Sequence, residues 1–197
     1  MSDVFVYTSP ADPRAQPLVD ELSWEYDSRY GEFYQQSGEP REMEKYPPAV
    51  FSPPEGGNFV LLLRDGVAVA GGAFKRHDDP HTAEFKRIWT DRRLRRQGLA
   101  RRVLVELEAQ ALRQAYRRVY LTTGFRQPEA VGLYLTHGYT GLYDPTVAPI
   151  VLRRLPFEKW LLPAERPRQA VGQRRHAAAE QSLLWVASAT PGSHADL

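Results

Sequence analysis

A chain of 197 residues, 42% hydrophobic and 25% charged, can bury one core of ordinary domain size. It contains no cysteine, which excludes disulfides, thiolate metal sites and a cysteine nucleophile together. The net charge of +2 is too small to single out nucleic acid, and no apolar run is long enough to span a bilayer. The start, Met1-Ser2-Asp3-Val4-Phe5, lacks the basic-then-apolar layout of a signal peptide, so the expected location is cytoplasmic.

Val4 to Tyr7 is a short β-rich run closed by Ser9-Pro10 and Asp12-Pro13. From Ala15 to Tyr30, Leu18, Leu22, Tyr26 and Tyr30 recur at helical spacing, with Trp24 inside the segment and Phe33 and Tyr34 just beyond. Such a stripe is read first as core packing. The sharper reading makes Trp24, Tyr26, Tyr30 and Tyr34 a wall of a substrate pocket. Gln35 to Gly57 holds five prolines and four glutamates with little periodicity, and is expected to be a flap.

Asn58 to Arg64, the Asp65-Gly66 turn and Val67 to Phe74 predict a β-hairpin. A turn at His77 to His81 then leads into Thr82 to Thr90, completing an antiparallel meander. Strict alternation along that last strand would put Glu84, Lys86 and Ile88 on one face and Phe85, Arg87 and Trp89 on the other. The next helix, running to about Tyr116, aligns Leu99, Val103, Leu107 and Ala111. Val119 to Thr123 predicts a strand parallel to the one before the helix, through a right-handed crossover. Pro128 opens a further helix through His137, which Gly138 ends. Tyr139 to Tyr143 and Val147 to Leu155 read as two closing strands, and Pro156 to Trp160 completes a domain of residues 1–162. The extension 163–197 turns to Pro, Arg, Gln and Ala, with one short helix expected at Ala177 to Val186 and loose chain from Pro191.

The stretch Arg95-Arg96-Gln97-Gly98-Leu99-Ala100 stands between a strand and a helix. Helix N-termini present unpaired N–H groups and partial positive charge, so such a turn can hold a pyrophosphate. Between Lys86 and Arg102 there are eight basic residues against one acid, Asp91, a density that also suits a nucleic-acid-binding module. No recognised nucleic-acid motif accompanies it. The five histidines show no metal-ligand spacing, so no metal is expected.

These elements and their order resemble the GNAT superfamily of acetyl-CoA-dependent N-acetyltransferases. The Arg/Gln-x-x-Gly-x-Gly/Ala motif is met by Arg95, Gly98 and Ala100. The later Asn-x-x-Ala-x-x-Leu-Tyr-x-x-x-Gly-Phe motif is met by Gln127, Ala130, Leu133, Tyr134, Gly138 and Tyr139, with Gln and Tyr replacing the commoner Asn and Phe. The resemblance covers about Val4 to Trp160. It implies an α/β (α+β) fold with a mixed, splayed central β-sheet flanked by helices. It also implies acetyl-CoA as cosubstrate and a small-molecule or protein amine as acceptor, with no nucleic-acid or membrane partner and a homodimer possible. The pantetheine arm would lie along Ile88, Trp89 and Thr90. Arg95, Arg96, Gln97, Gly98, Leu99 and Ala100 would take the pyrophosphate, and Thr123, Gln127 and Ala130 would form the far wall.

Acetylating an amine needs a proton acceptor for the amine and a proton donor for the departing thiolate. Glu84 is the candidate base, against the alternative of a surface carboxylate paired with Lys86 or Arg87. Tyr134 is the candidate acid, a phenol protonated at neutral pH, against the alternative of a core tyrosine. A GNAT fold that binds acyl-CoA without turnover is the competing class. Aromatic pocket walls favour an apolar or cationic acceptor, with Glu25 or Asp27 available for a second positive charge.

Overall fold

The computed structural model describes residues 2–38, 40–162 and 165. In chain order these form β1 (Asp3–Tyr7), α1 (Gln16–Ser37), β2 (Asn58–Arg64), β3 (Val67–Arg76), β4 (Thr82–Thr90), α2 (Leu99–Arg113) and β5 (Arg118–Gly124). α3 (Pro128–Thr136), β6 (Thr140–Gly141), α4 (Pro149–Leu152) and β7 (Arg154–Trp160) complete them. One seven-stranded sheet has the order β1-β2-β3-β4-β5-β7-β6, mixed and mostly antiparallel, with helices on both faces.

The sheet is buried on both sides because its central strands are apolar on both sides. On one face α1 sets Leu18 and Leu22 against Leu61, Ala73 and Trp89, with Phe51 from the following loop. On the other face α2 packs Leu99, Val103, Leu104 and Leu107 against Val60, Phe74, Phe85, Leu121 and Phe157. Two adjacent glycines on β3 let both helices come close. A Cβ on Gly71 would lie 2.8 Å from Leu18 Cδ1, and one on Gly72 would lie 2.9 Å from Leu107 Cδ1.

The β3–β4 ladder carries a bulge. Ala73 pairs with Lys86 and Gly71 with Trp89, so two residues of β4 stand opposite Gly72 alone. Arg87 takes up the extra length at φ 57°. The alternation expected along β4 therefore fails after Lys86. Ile88 joins Phe85 on the α2 face and Trp89 turns to the α1 face.

β4 and β5 pair in parallel for three positions only, from Thr82↔Arg118 to Glu84↔Tyr120. β5 then follows β7 along its whole length, from Arg118↔Trp160 to Gly124↔Arg154. Beyond Glu84 the sheet splays, and the gap is the site described below.

Several boundaries move. α1 runs seven residues past Tyr30, taking in the start of the expected flap. The expected strand at Val147 to Leu155 is instead a turn and the short helix α4. Pro149 fixes a helical first turn there, and the β-branched Ile150 and Val151 that mimic a strand are exposed at 58% and 50%. The second closing strand is β7. Of Tyr139 to Tyr143, only Thr140 and Gly141 pair as strand. Apart from Glu165, whose carboxylate accepts from Arg117 Nη1 at 2.6 Å, the expected extension, including its helix at Ala177 to Val186, lies outside the described residues. Among the described residues no helix is long and apolar enough to cross a membrane.

Candidate active site

Where β4 leaves β5, a cleft of about 1210 Å³, solvent at its mouth included, opens between them. One wall is Phe85 to Ile88 of β4 and the other is Thr122 to Gly124 of β5 with Gln127, Ala130 and Tyr134 of α3. α1 contributes Tyr26, Tyr30, Phe33 and Tyr34, and the loop after it contributes Glu42, Lys45 and Tyr46. Arg153 and Arg154, at the α4–β7 junction, close the far end. That loop is the expected flap, and it is pinned. The bulge aims Arg87 at it, where Nη2 donates to Met43 O at 3.0 Å and the guanidinium lies 4.5 Å from the Phe51 ring.

At the C-terminal end of β4 the chain turns into α2 through two left-handed residues, Arg96 at φ 64° and Gly98 at φ 76°. Gly98 is the N-cap and makes no side-chain cap, so the first N–H groups of a fifteen-residue helix face outward. This arrangement fits an anion. The arginines around it are largely engaged. Arg93 chelates Asp91, Arg102 pairs with Asp3, and Arg92 lies 5.8 Å from the Trp24 ring. Arg95, expected to point at a pyrophosphate, turns back onto α1, pairing with Glu25 and, at 3.3 Å, with Glu21. Its place in the structure is to tie the turn to α1.

Tyr134 is buried and lines the cleft, its ring packed against Tyr139 at 5.6 Å and Phe157 at 5.5 Å. Its hydroxyl makes no hydrogen bond among the described residues. Burial raises its pKa far above the ordinary phenol value, against the pull of the Lys86 ammonium. It is a protonated donor across the physiological range.

Glu84 sits behind the cleft wall rather than in it. Its carboxylate lies 2.7 Å from Lys75 and 2.9 Å from Lys86, and the Tyr46 ring stands 5.2 Å from both ammonium groups. Burial pushes the carboxyl up, but the charge of Lys86 and the Lys75 hydrogen bond outweigh it, and the net shift is downward. The paired-carboxylate reading of Glu84 is thus met in part by Lys86, with Lys75 in place of Arg87.

Gln127 turns its amide oxygen inward, accepting from Thr123 Oγ1 at 3.0 Å and from Gly124 N at 3.1 Å. Ala130 lines the cleft beside it. The Ile88 and Trp89 side chains belong to the two cores, and the Trp89 indole is buried against the α1 side, so only its backbone is available to a ligand. Of the aromatic wall, Tyr26, Tyr30 and Tyr34 reach the cleft and Trp24 does not. Two residues before Tyr26 on a helix is about 200° round, and Trp24 is 60% exposed. Burial raises the phenol of Tyr34 to about 12. Glu25 and Asp27 are taken up by Arg95 and Arg41. His137 donates Nδ1–H to Leu133 O at 2.7 Å. Among the described residues no group of three or more His, Asp or Glu side chains could hold a metal.

Sequence reasoning did not select Glu42, Lys45, Tyr46, Lys86, Phe125, Arg153 or Arg154 for the cleft. Phe33 had a signal, three residues after Tyr30 on the same helix face. Lys86 had one too, two residues after Glu84 on the same face of β4, and the others stand in or beside loops, where no periodicity marks them.

Residues 19–139 match the family model described as Acetyltransferase (GNAT) family. The chain belongs to the GNAT acetyltransferase family. Solved GNAT-like structures share the fold over nearly their whole length. A protein from Klebsiella pneumoniae, described as an acyl-CoA N-acyltransferase, is 23% identical with a TM-score of 0.59, covering 81% of this chain and 98% of its own. A GNAT acetyltransferase from Staphylococcus aureus Mu50 is 15% identical with a TM-score of 0.60, covering 82% and 100%. The PaiA N-acetyltransferase from Thermoplasma acidophilum, solved in complex with coenzyme A, is 15% identical with a TM-score of 0.60, covering 81% and 99%. No curated protein matches the chain in sequence.

Proposed function

We propose that this GNAT protein transfers the acetyl group of acetyl-CoA to a primary amine of a small molecule or protein, within a domain spanning residues 1–162. The observation that carries the reading is the junction of two features. A cleft opens where β4 leaves β5, and an uncapped helix start stands at the end of the same strand. An extended arm can add to the edge of β4 that β5 leaves unpaired, using the backbone of Ile88, Trp89 and Thr90. The amides of Arg96 to Ala100 receive the phosphates, and Arg95 holds that turn in place through Glu21 and Glu25. Thr123, Gln127 and Ala130 line the opposite wall.

Acetyl-CoA supplies an activated acyl carbon and a thiolate leaving group. The amine nitrogen bonds to that carbon as the C–S bond breaks. Tyr134, kept protonated by its burial and placed on the cleft wall, is the proton donor for the thiolate. The proton lost by the amine passes to Glu84. Because Lys86 stands between that carboxylate and the cleft, the transfer runs through water.

The test is release of free CoA from acetyl-CoA across an amine panel, with acetyl-CoA binding measured separately by calorimetry. Loss of turnover in Glu84→Gln and Tyr134→Phe with binding intact is the expected result. Unchanged turnover in both variants would overturn the two roles, and absence of acetyl-CoA binding would overturn the enzyme reading.

A further inference from the structure

Each cation lining the cleft is engaged within the protein. Lys86 meets Glu84 at 2.9 Å, and Arg87 donates to Met43 O and packs on the Phe51 ring. Lys45, Arg153 and Arg154 have intramolecular partners as well. The carboxylate of the lining is in a different state. Glu42, on the loop after α1, accepts no hydrogen bond among the described residues. Its charge contact is Lys86 at 3.8 Å, too long for a hydrogen bond and secondary to the Lys86–Glu84 pair.

Around Glu42 the wall is aromatic. Tyr26 and Tyr34 of α1 line the same cleft, and neither hydroxyl makes a hydrogen bond among the described residues. Burial first and the Glu42 charge second hold both phenols above their ordinary pKa, so the two rings lie within that carboxylate's field. The Tyr134 phenol acts on Tyr26 as well, and the group thus extends from Glu42 to the candidate acid. One carboxylate and two phenol oxygens offer three hydrogen-bond acceptors. A primary ammonium brings three N–H donors, and the faces of phenol rings attract a cation.

We infer that Glu42, with the phenol oxygens of Tyr26 and Tyr34, is the subsite that receives the acceptor's ammonium group, and that the acceptor is a primary amine with no carboxylate beside its nitrogen. This rests on the acetyl-transfer reading for which group reacts. The amine docks charged at Glu42, on the Tyr134 side, and then loses its proton along the water route to Glu84. The cation-binding part that the sequence offers to Glu25 or Asp27 falls to Glu42, because Arg95 and Arg41 occupy those two. A carboxylate beside the amine would be set against Glu42, and a neutral isostere would leave Glu42 without its partner.

The experiment is equilibrium binding to the full chain with coenzyme A added. The probes are benzylamine, phenethylamine and hexylamine, each beside the alcohol that replaces its nitrogen, with phenylalanine as the carboxylate-bearing comparator. At least one amine is expected to bind about tenfold more tightly than its alcohol and than phenylalanine. Glu42→Gln is expected to erase that preference while leaving the affinities of the alcohol and of coenzyme A unchanged. Glu42→Asp, which keeps the charge, is expected to restore part of it. Alcohols or phenylalanine binding as tightly as the amines, no amine binding, or a preference that survives Glu42→Gln would overturn the inference. CoA release from acetyl-CoA is measured in parallel on the same panel. An amine preference that needs Glu42 but brings no CoA release would leave the subsite standing and sink acetyl transfer. CoA release with amine binding indifferent to Glu42 would sink the subsite and leave acetyl transfer standing.

Discussion

Glu84 and Lys86 stand two residues apart on β4 with 2.9 Å between carboxylate and ammonium, and Lys75 of β3 meets the other oxygen at 2.7 Å. All three side chains are nearly buried, so this cluster is a structural element as well as a candidate proton path. Glu84→Gln would leave two ammonium groups facing a neutral amide, at a cost of about 2–4 kcal/mol. The melting temperature at pH 7 should fall by roughly 5–12 °C. The carboxyl's pKa is lowered in the folded chain, so its contribution is fully present above its ordinary value of 4.5 and is lost as pH falls through the lowered one. Thermal melts from pH 3 to 8 should therefore show the gap between wild type and variant closing on the acid side. A gap that is constant with pH would refute the ion-pair account.

Tyr134→Phe should lower kcat by about a hundredfold while changing stability by less than about 1 kcal/mol, because the ring contacts with Tyr139 and Phe157 survive. The raised pKa carries a second expectation. A group protonated well beyond pH 10 imposes no alkaline fall in kcat between pH 8 and 10. A wild-type profile that drops there by loss of an acid would point to a different donor.

Gly98→Ala places a side chain at φ 76° with nothing within 4 Å of the new Cβ. Its effect is purely on the backbone, a strain of about 1–2 kcal/mol in the turn that opens α2. Acetyl-CoA affinity, read by calorimetry, should fall about tenfold with the acceptor's KM unchanged at saturating acetyl-CoA. Equal affinities would show that the turn does not hold the phosphates.

Trp24→Ala should leave the acceptor's KM within about twofold, since the indole faces solvent and Arg92. Tyr34→Ala, on the cleft wall, should raise it about tenfold or more. Steady-state kinetics on one amine separates the two, and the reverse order would mean that the acceptor binds elsewhere.

The β2–β3 hairpin, both long helices and the strand–turn–helix around Gly98 were legible because each is specified locally, by period, turn residue or cap. What was not legible depends on partners distant in sequence. The bulge at Arg87 exists because β4 must pass Gly72 with one residue to spare, and no pattern within Thr82 to Thr90 announces it. Once it forms, Ile88 and Trp89 exchange faces. The aim of Arg95 is likewise set by Glu21 and Glu25, seventy or more residues earlier; sequence reading offers Glu25 to a second positive charge on the acceptor and does not single out Glu21. Val147 to Leu155 misled through composition, since β-branched residues at an exposed turn look like those of a strand. The cleft's cations escaped notice because Lys45 stands more than a hundred residues before Arg153 and Arg154, and only the fold brings them to one cleft.

Three rungs, from Thr82↔Arg118 to Glu84↔Tyr120, are the whole of the strand pairing between the β1–β4 half of the sheet and the β5–β7 half. A load applied across the sheet would concentrate on that short seam, with Glu84 at its open tip like the stitch at the end of a slit. The side chain that rivets it is Arg118 of β5, which donates Nε–H to Thr82 Oγ1 at 2.8 Å and meets the Asp79 carboxylate at 3.2 Å. Loss of that arginine would lower the molecule's resistance to being pulled apart along the seam.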